Sequence, residues 1–321
     1  MIIRYGTLKP INQECSRTFT TGRYRQVIGG VLALLVSLTF AQKLTAQRKL
    51  VFQYQTGSEN VLSVKTDTEI LMKYMGQDIR TAMQMETGIS QYIDSVSSDG
   101  MATITQKLIG LKMAVEGGPL GVKLVYDSAQ AENNEASLSG ILKPLVGAEF
   151  EIVVSRLGKV HDFKPPTDLL ATLAKQPGSQ TLGQMFTPDG FRQMASQGSL
   201  TFPDKALREG DQWQDSITLK AAQFGETEVK LQYTYQGLVE VDGKPLDKIG
   251  IQMTTLVKPL KNPTGSQLKI REQSSQGTLY FDNQRGQLDH SSLKQQMTTE
   301  VIVGQNSIVQ TITTNVTTSL K

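Results

Sequence analysis

The chain has two histidines, and each neighbours an aspartate a few residues past a glycine: "RLGKVHDF" (156–163) and "QRGQLDHS" (284–291). A histidine beside a carboxylate could serve as a general base or as part of a zinc site. The spacing argues against both. A hairpin turning at Ser155–Gly158, with Gly158 in the positive-φ position, sets Ser155 opposite Lys159, Val154 opposite Val160 and His161 opposite Val153. The same geometry around Gly286 pairs Asn283 with Gln287 and Tyr280 with His290. Neighbouring strand residues point to opposite faces, so His161 and Asp162, and likewise Asp289 and His290, are expected to look away from each other.

Other chemistries lack their residues. The sequence holds no "GxSxG", "HExxH", "GxxxxGK[ST]" or helix-opening "GxGxxG". The acids of "ETE" (226–228) and "AENNEA" (131–136) read as strand-edge or loop charge, and "NVT" (315–317) has the form of a glycosylation acceptor inside a strand-like alternation. No catalytic, metal-ligating or cofactor-binding residue is assigned, no cofactor is expected, and the chain reads as a non-enzyme.

The elements that position these residues are legible from periodicity. In "EVKLQYTYQGLVEV" (228–241) the apolar residues Val229, Leu231, Tyr233, Tyr235, Val239 and Val241 alternate with polar ones, which describes a strand with one wet face. The pattern recurs at Ile109, Leu111, Met113 and Val115, at Trp213, Ile217 and Leu219, at Ile249, Ile251, Met253 and Val257, and at Ile308, Ile312, Val316 and Leu320. Parallel strands buried on both faces would instead show continuous apolar runs.

One block departs from alternation. In residues 165–198, Leu169, Leu170 and Leu173 take helical spacing, and Thr187-Pro188 resembles a cap followed by a first-turn proline. The expected fold class is α+β, mostly β: long, antiparallel, curved sheet(s) with one wet face, and a helical block at about 165–200 covering the apolar face. The expected organisation is a signal peptide at 1–46, a β-rich half at 47–163, the helical block at 164–206 and a second β-rich half at 207–321, as one or two domains.

Charge and hydropathy bear on location. The chain carries +3 overall, of which residues 1–46 contribute +5, leaving −2 for the rest. A near-neutral body without a basic cluster argues against nucleic acid, which demands dense Lys/Arg. The basic opening runs into "VIGGVLALLVSLTFA" (27–41), fifteen residues without a charge. That is short of the roughly 20 needed to span a bilayer and suits a secretory signal. Cleavage after Ala41 or Ala46 would leave an exported protein, periplasmic or extracellular, with no stable membrane span. The one cysteine, Cys15, would leave with the signal.

Methionine is the notable apolar supply, since it adapts to irregular apolar shapes. Met72, Met75, Met83, Met85, Met101 and Met113 lie in the first β-rich half, and Met185, Phe186, Phe191 and Met194 in the helical block. Met185, Phe186, Phe191, Met194 and Met113 are the candidate residues facing an apolar ligand.

The elements "LVYDSA" (124–129), "LVGAEFEIVVSRLGKVHDF" (145–163), "LREGDQWQDS" (207–216) and "GTLYFDNQRGQL" (277–288) resemble a family of secreted bacterial proteins known as a domain of unknown function. The resemblance implies an envelope or secreted location and carries over no site residue. On architecture alone, the chain is also similar to curved antiparallel half-barrels with covering helices that carry lipoproteins or lipids between bacterial membranes. Three roles follow: a non-catalytic carrier of an apolar small molecule or lipid, a structural or protein-interaction module of the cell envelope, and a hydrolase using carboxylates or the two histidines. The first is favoured and the second is its alternative.

Overall fold

The alternating segments form long strands. The computed structural model describes residues 47–74, 76–130, 132, 134–166, 169, 200–221, 225–258, 267–303 and 306–321. The segment expected as a signal peptide and most of the expected helical block, including Met185, Phe186, Phe191 and Met194, lie outside the described residues. The first half supplies β1 (Glu59–Tyr74), β2 (Gln77–Val96), β3 (Ala102–Gly117), β4 (Val122–Asp127), β5 (Glu149–Val154) and β6 (Val160–Lys164). The second supplies β7 (Gln212–Ala221), β8 (Gly225–Val241), β9 (Lys244–Lys258), β10 (Gln267–Asp282), β11 (Gln287–Val303) and β12 (Asn306–Leu320). They make one antiparallel sheet in the order β6-β5-β3-β2-β1-β12-β11-β10-β9-β8-β7, with β4 on β3.

The halves meet at the β1–β12 ladder, which runs from Leu62↔Leu320 to Lys73↔Val309. Both strands are rich in Thr and β-branched residues, which suit a half-buried pleated surface. A short helix, α1 (Ala136–Leu142), follows β4 within the half that the sequence reads as β-rich.

Bulges move some side chains away from the faces that alternation assigns. At Gly88↔Gly110 and Ile89↔Leu108 the extra residue is Ile109, which is therefore exposed instead of sharing a face with Leu111 and Met113. On β8 the register jumps from Tyr235↔Ile249 to Leu238↔Asp247. Val239 and Val241 consequently lose the parity of Tyr235.

The face bearing Ile249, Leu279 and Tyr235 is the inner face. At one end of the sheet it carries two cores. The first gathers Leu50, Phe202, Leu207, Leu231, Tyr233, Tyr235, Ile249, Leu279 and Phe281. Phe202 and Phe281 meet edge-on, with ring centroids 4.8 Å apart, and Phe52 sits 5.3 Å from each. The second gathers Ile93, Ala102, Ile104, Ile152, Val154, Phe163 and the helical residue Leu169. Each fully buried side chain of this kind contributes about 1.5–3 kcal/mol.

A strap formed by residues 47–54 crosses that end. Arg48 bridges Leu207 through two main-chain hydrogen bonds, of 2.9 and 2.8 Å. The Phe52 N–H then donates to the Arg156 carbonyl and the Gln53 N–H to the Gly286 carbonyl. The strap is thus gripped by both hairpin turns of the histidine-bearing stretches.

Trp213 lies on the inner face, as its parity with Ile217 predicts. Its ring stacks on Tyr233 at 5.2 Å, and its Nε1–H donates to the Thr201 carbonyl at 2.8 Å. Because Trp213 is half-buried, Trp213→Ala should cost about 2–3 kcal/mol, somewhat below the usual range for a large aromatic in a core. Urea denaturation checks this, and a variant with the wild-type midpoint would place the ring outside the core.

Candidate ligand-binding face

Away from the two cores, the inner face can be followed strand by strand through the ladders, because directly paired residues share a face. One row runs Tyr126, Met113, Met85, Thr66, Val316, Leu293, Gly277, Ile251, Tyr233, Trp213. The row two residues along each strand from Met113 runs Val115, Met83, Thr68, Thr314, Gln295, Ser275. A third holds Ile70, Ile312, Met297 and Gln273. Met83, Met85, Met113, Ile70, Ile312, Leu293 and Met297 are all half-buried. Of the residues the sequence nominated to face a ligand, Met113 is the one within the described residues, and it sits in this array directly opposite Met85.

Burial, followed by the charge of Asp215, pushes the Tyr233 phenol well above its usual range. Burial and then Asp127 also raise that of Tyr126. Both rings therefore stay neutral at ordinary pH, and the face presents no ionised phenol.

Backbone pairing between two strands lapses beside the third row. β9 and β10 pair only from Gly277↔Ile251 to Phe281↔Asp247, although both strands continue past that point. Side chains bridge the gap beyond. The Ser275 hydroxyl donates to the Met253 carbonyl at 2.8 Å and accepts from the Met253 N–H. The Gln273 amide donates to the Thr255 carbonyl at 2.9 Å and accepts from its N–H at 2.7 Å. Sequence patterning did not anticipate these polar residues on the inner face. The signal for them was the run of Gln and Ser at positions where alternation calls for apolar side chains.

The histidine stretches resolve differently from their expected geometry. Ser155 pairs with Lys159 and Val154 with Val160, but Val153 then faces Asp162, leaving His161 as the extra residue of a bulge. On β11 the register goes from Phe281↔Leu288 to Tyr280↔His290, so Asp289 is the extra residue. A bulge sets two residues against one, and here it brings the neighbours together instead of apart. His290 Nδ1 lies 2.7 Å from the Asp289 carboxylate, and its ring stacks on Tyr280 at 4.4 Å. The expectation of opposite faces fails there because simple alternation cannot see a bulge. Asp289 also has Lys244 at 3.6 Å. Among the described residues no group of three or more His, Cys, Asp or Glu could hold a metal.

Two shallow concavities flank the strap, at the core end. One of about 340 Å³ is lined by Lys49, Val51, Arg156, Leu157 and Asp204, and its Lys49–Asp204 ion pair measures 2.6 Å. The other, about 270 Å³, lies among Phe52, Tyr54, Ser97, Asp99 and Arg156. In the second, the Ser97 hydroxyl donates to the Asp99 carboxylate, which that bond holds below the usual range. Among the described residues no helix is long and apolar enough to cross a membrane.

No curated protein matches the chain. A family model described as "Family of unknown function (DUF6263)" matches residues 99–286. Among solved structures, one on lipid–protein interactions in lipovitellin is similar at 10% identity and a TM-score of 0.47, over 84% of this chain. That likeness spans 25% of the lipovitellin chain. The hypothetical lipoprotein YmcC of Escherichia coli K12 is 11% identical, with a TM-score of 0.20, over 78% of this chain and 85% of its own. DynF, from the dynemicin biosynthesis pathway of Micromonospora chersina, is 9% identical, with a TM-score of 0.22, over 86% and 90%. TM-scores below 0.5 do not establish a shared fold.

Proposed function

The chain belongs to the family of unknown function DUF6263, and we propose that it holds an apolar, lipid-like ligand against the inner face of its sheet, outside the cytoplasm and without catalysis. The observation that carries this reading is the array of Met83, Met85, Met113, Ile70, Ile312, Leu293 and Met297. These side chains sit on one face, half-buried, beyond both cores. Adaptable methionines at such a surface suit a ligand of irregular apolar shape. Export is supported by the basic opening and the uncharged run at 27–41.

The test uses a fluorescent apolar dye, N-phenyl-1-naphthylamine. Met85→Asp places a charge in the array and should weaken dye binding at least tenfold, given the cost of burying an unpaired carboxylate. Leu71→Asp, at a 49% exposed position on the opposite face, should leave binding unchanged. Equal binding by both variants, each folded by circular dichroism, would refute an inner-face site.

A further inference from the structure

The polar residues of the inner face indicate what kind of apolar ligand it takes. Thr68, Thr314, Gln295 and Ser275 lie side by side on four adjacent strands, β1, β12, β11 and β10. They form a stripe roughly 14 Å wide at about 4.8 Å per strand. Three of the four already have a partner. Thr68 and Thr314 share a hydroxyl hydrogen bond at 3.3 Å, and Ser275 is bound to the main chain of Met253. Gln273, one step along β10, is likewise committed to Thr255.

Gln295 differs. Its side chain is half-buried on the inner face, and among the described residues its amide has no hydrogen-bond partner. Apolar side chains border it along the strands: Leu293 and Met297 on β11, with Val316 and Ile312 beside them on β12. A primary amide can donate two hydrogen bonds and accept two. In the free protein this half-buried amide is open to water; an apolar molecule laid over it strips that water, and a molecule that hydrogen-bonds to it avoids the resulting cost.

We propose that the ligand is a chain-like lipid with an internal amide or ester group joining two hydrocarbon arms, and that Gln295 recognises that group. This rests on the reading of the inner face as a ligand site and refines it. With the linkage seated on the stripe at Gln295, one arm runs along the strands over Leu293, Val316 and Met85. The other runs in the opposite direction over Met297, Ile312 and Ile70. A bare hydrocarbon would fill the same surface and leave the amide unsatisfied, so the site discriminates in favour of the linked lipid.

The experiment is displacement of N-phenyl-1-naphthylamine from the full chain by two probes of similar length, N-octyldecanamide and n-octadecane. The readout is the ratio of the two probes' affinities in each variant against wild type, because the amide probe also gives up hydrogen bonds to water on binding. Gln295→Met, close in shape and unable to donate, should keep dye and octadecane binding and shift that ratio toward octadecane by roughly tenfold, the worth of one well-made hydrogen bond. Gln295→Leu should behave likewise, and Gln296→Leu, on the opposite face, should leave the ratio at its wild-type value. A folded Gln295→Met with the wild-type ratio overturns the role of Gln295. A wild type that binds neither the dye nor either probe overturns the apolar-ligand reading and this refinement with it.

Discussion

Asp247→Ala is expected to destabilise the fold by about 3–5 kcal/mol, the usual cost of removing one partner from a buried ion pair. The carboxylate is fully buried on β9 and accepts from the Tyr235 hydroxyl at 2.6 Å. Arg48 Nη2 donates to it at 3.0 Å. Arg48 Nε lies 2.7 Å from the other oxygen, at an angle that makes it a charge contact and not a second hydrogen bond. Burial and then the bond to Asp247 push the Tyr235 phenol well up, so it serves as a neutral donor. Without Asp247, the Tyr235 hydroxyl is stranded and Arg48 loses its anchor. The Arg48 side chain is 29% exposed and can turn toward water, which places the expected loss toward the lower end of that range. For a domain of this size, melting should fall by roughly 6–15 °C, and a change under about 2 °C would show that the strap is not held through this pair.

Gly158→Ala should cost more than about 3 kcal/mol. A non-glycine residue in left-handed backbone costs about 1–2 kcal/mol by itself, and Gly158 has φ +82°. A methyl there would also overlap the Leu200 carbonyl oxygen and press on the Phe52 ring, forcing the strap and the segment that enters the first core to move apart. Gly147 provides the control. Its φ is +85°, yet a methyl there meets nothing within 4 Å, so Gly147→Ala should show the backbone cost alone. Parallel urea titrations compare the two, and equal losses would mean that the close approach at Gly158 is not rigid.

The strands were legible because alternation at period two is a local signal. Ile249, Ile251 and Met253, and likewise Ile308, Ile312 and Val316, lie on the face their spacing predicts. Bulges were not legible, since one extra residue at Ile109, at Gln236-Gly237, at His161 or at Asp289 leaves no mark in composition. The strap was missed for another reason. Residues 47–54 have no regular period and are placed by partners far along the chain, among them Arg156, Leu207, Asp247 and Gly286. The methionines of the inner face, Met113 among them, could be found by counting. Gln295 could not, because a glutamine in "LKQQMTTE" takes on meaning only once the ladders set it between Leu293 and Met297 on a face that is otherwise apolar.

The most direct test of an apolar ligand on the inner face is native mass spectrometry of the full chain, expressed with export in a bacterium and purified without detergent. A lipid-sized mass above that of the protein is expected, released by organic solvent and much reduced in Met85→Asp. A bare protein mass, with no adduct gained after incubation with phospholipid vesicles or with N-octyldecanamide, would contradict it.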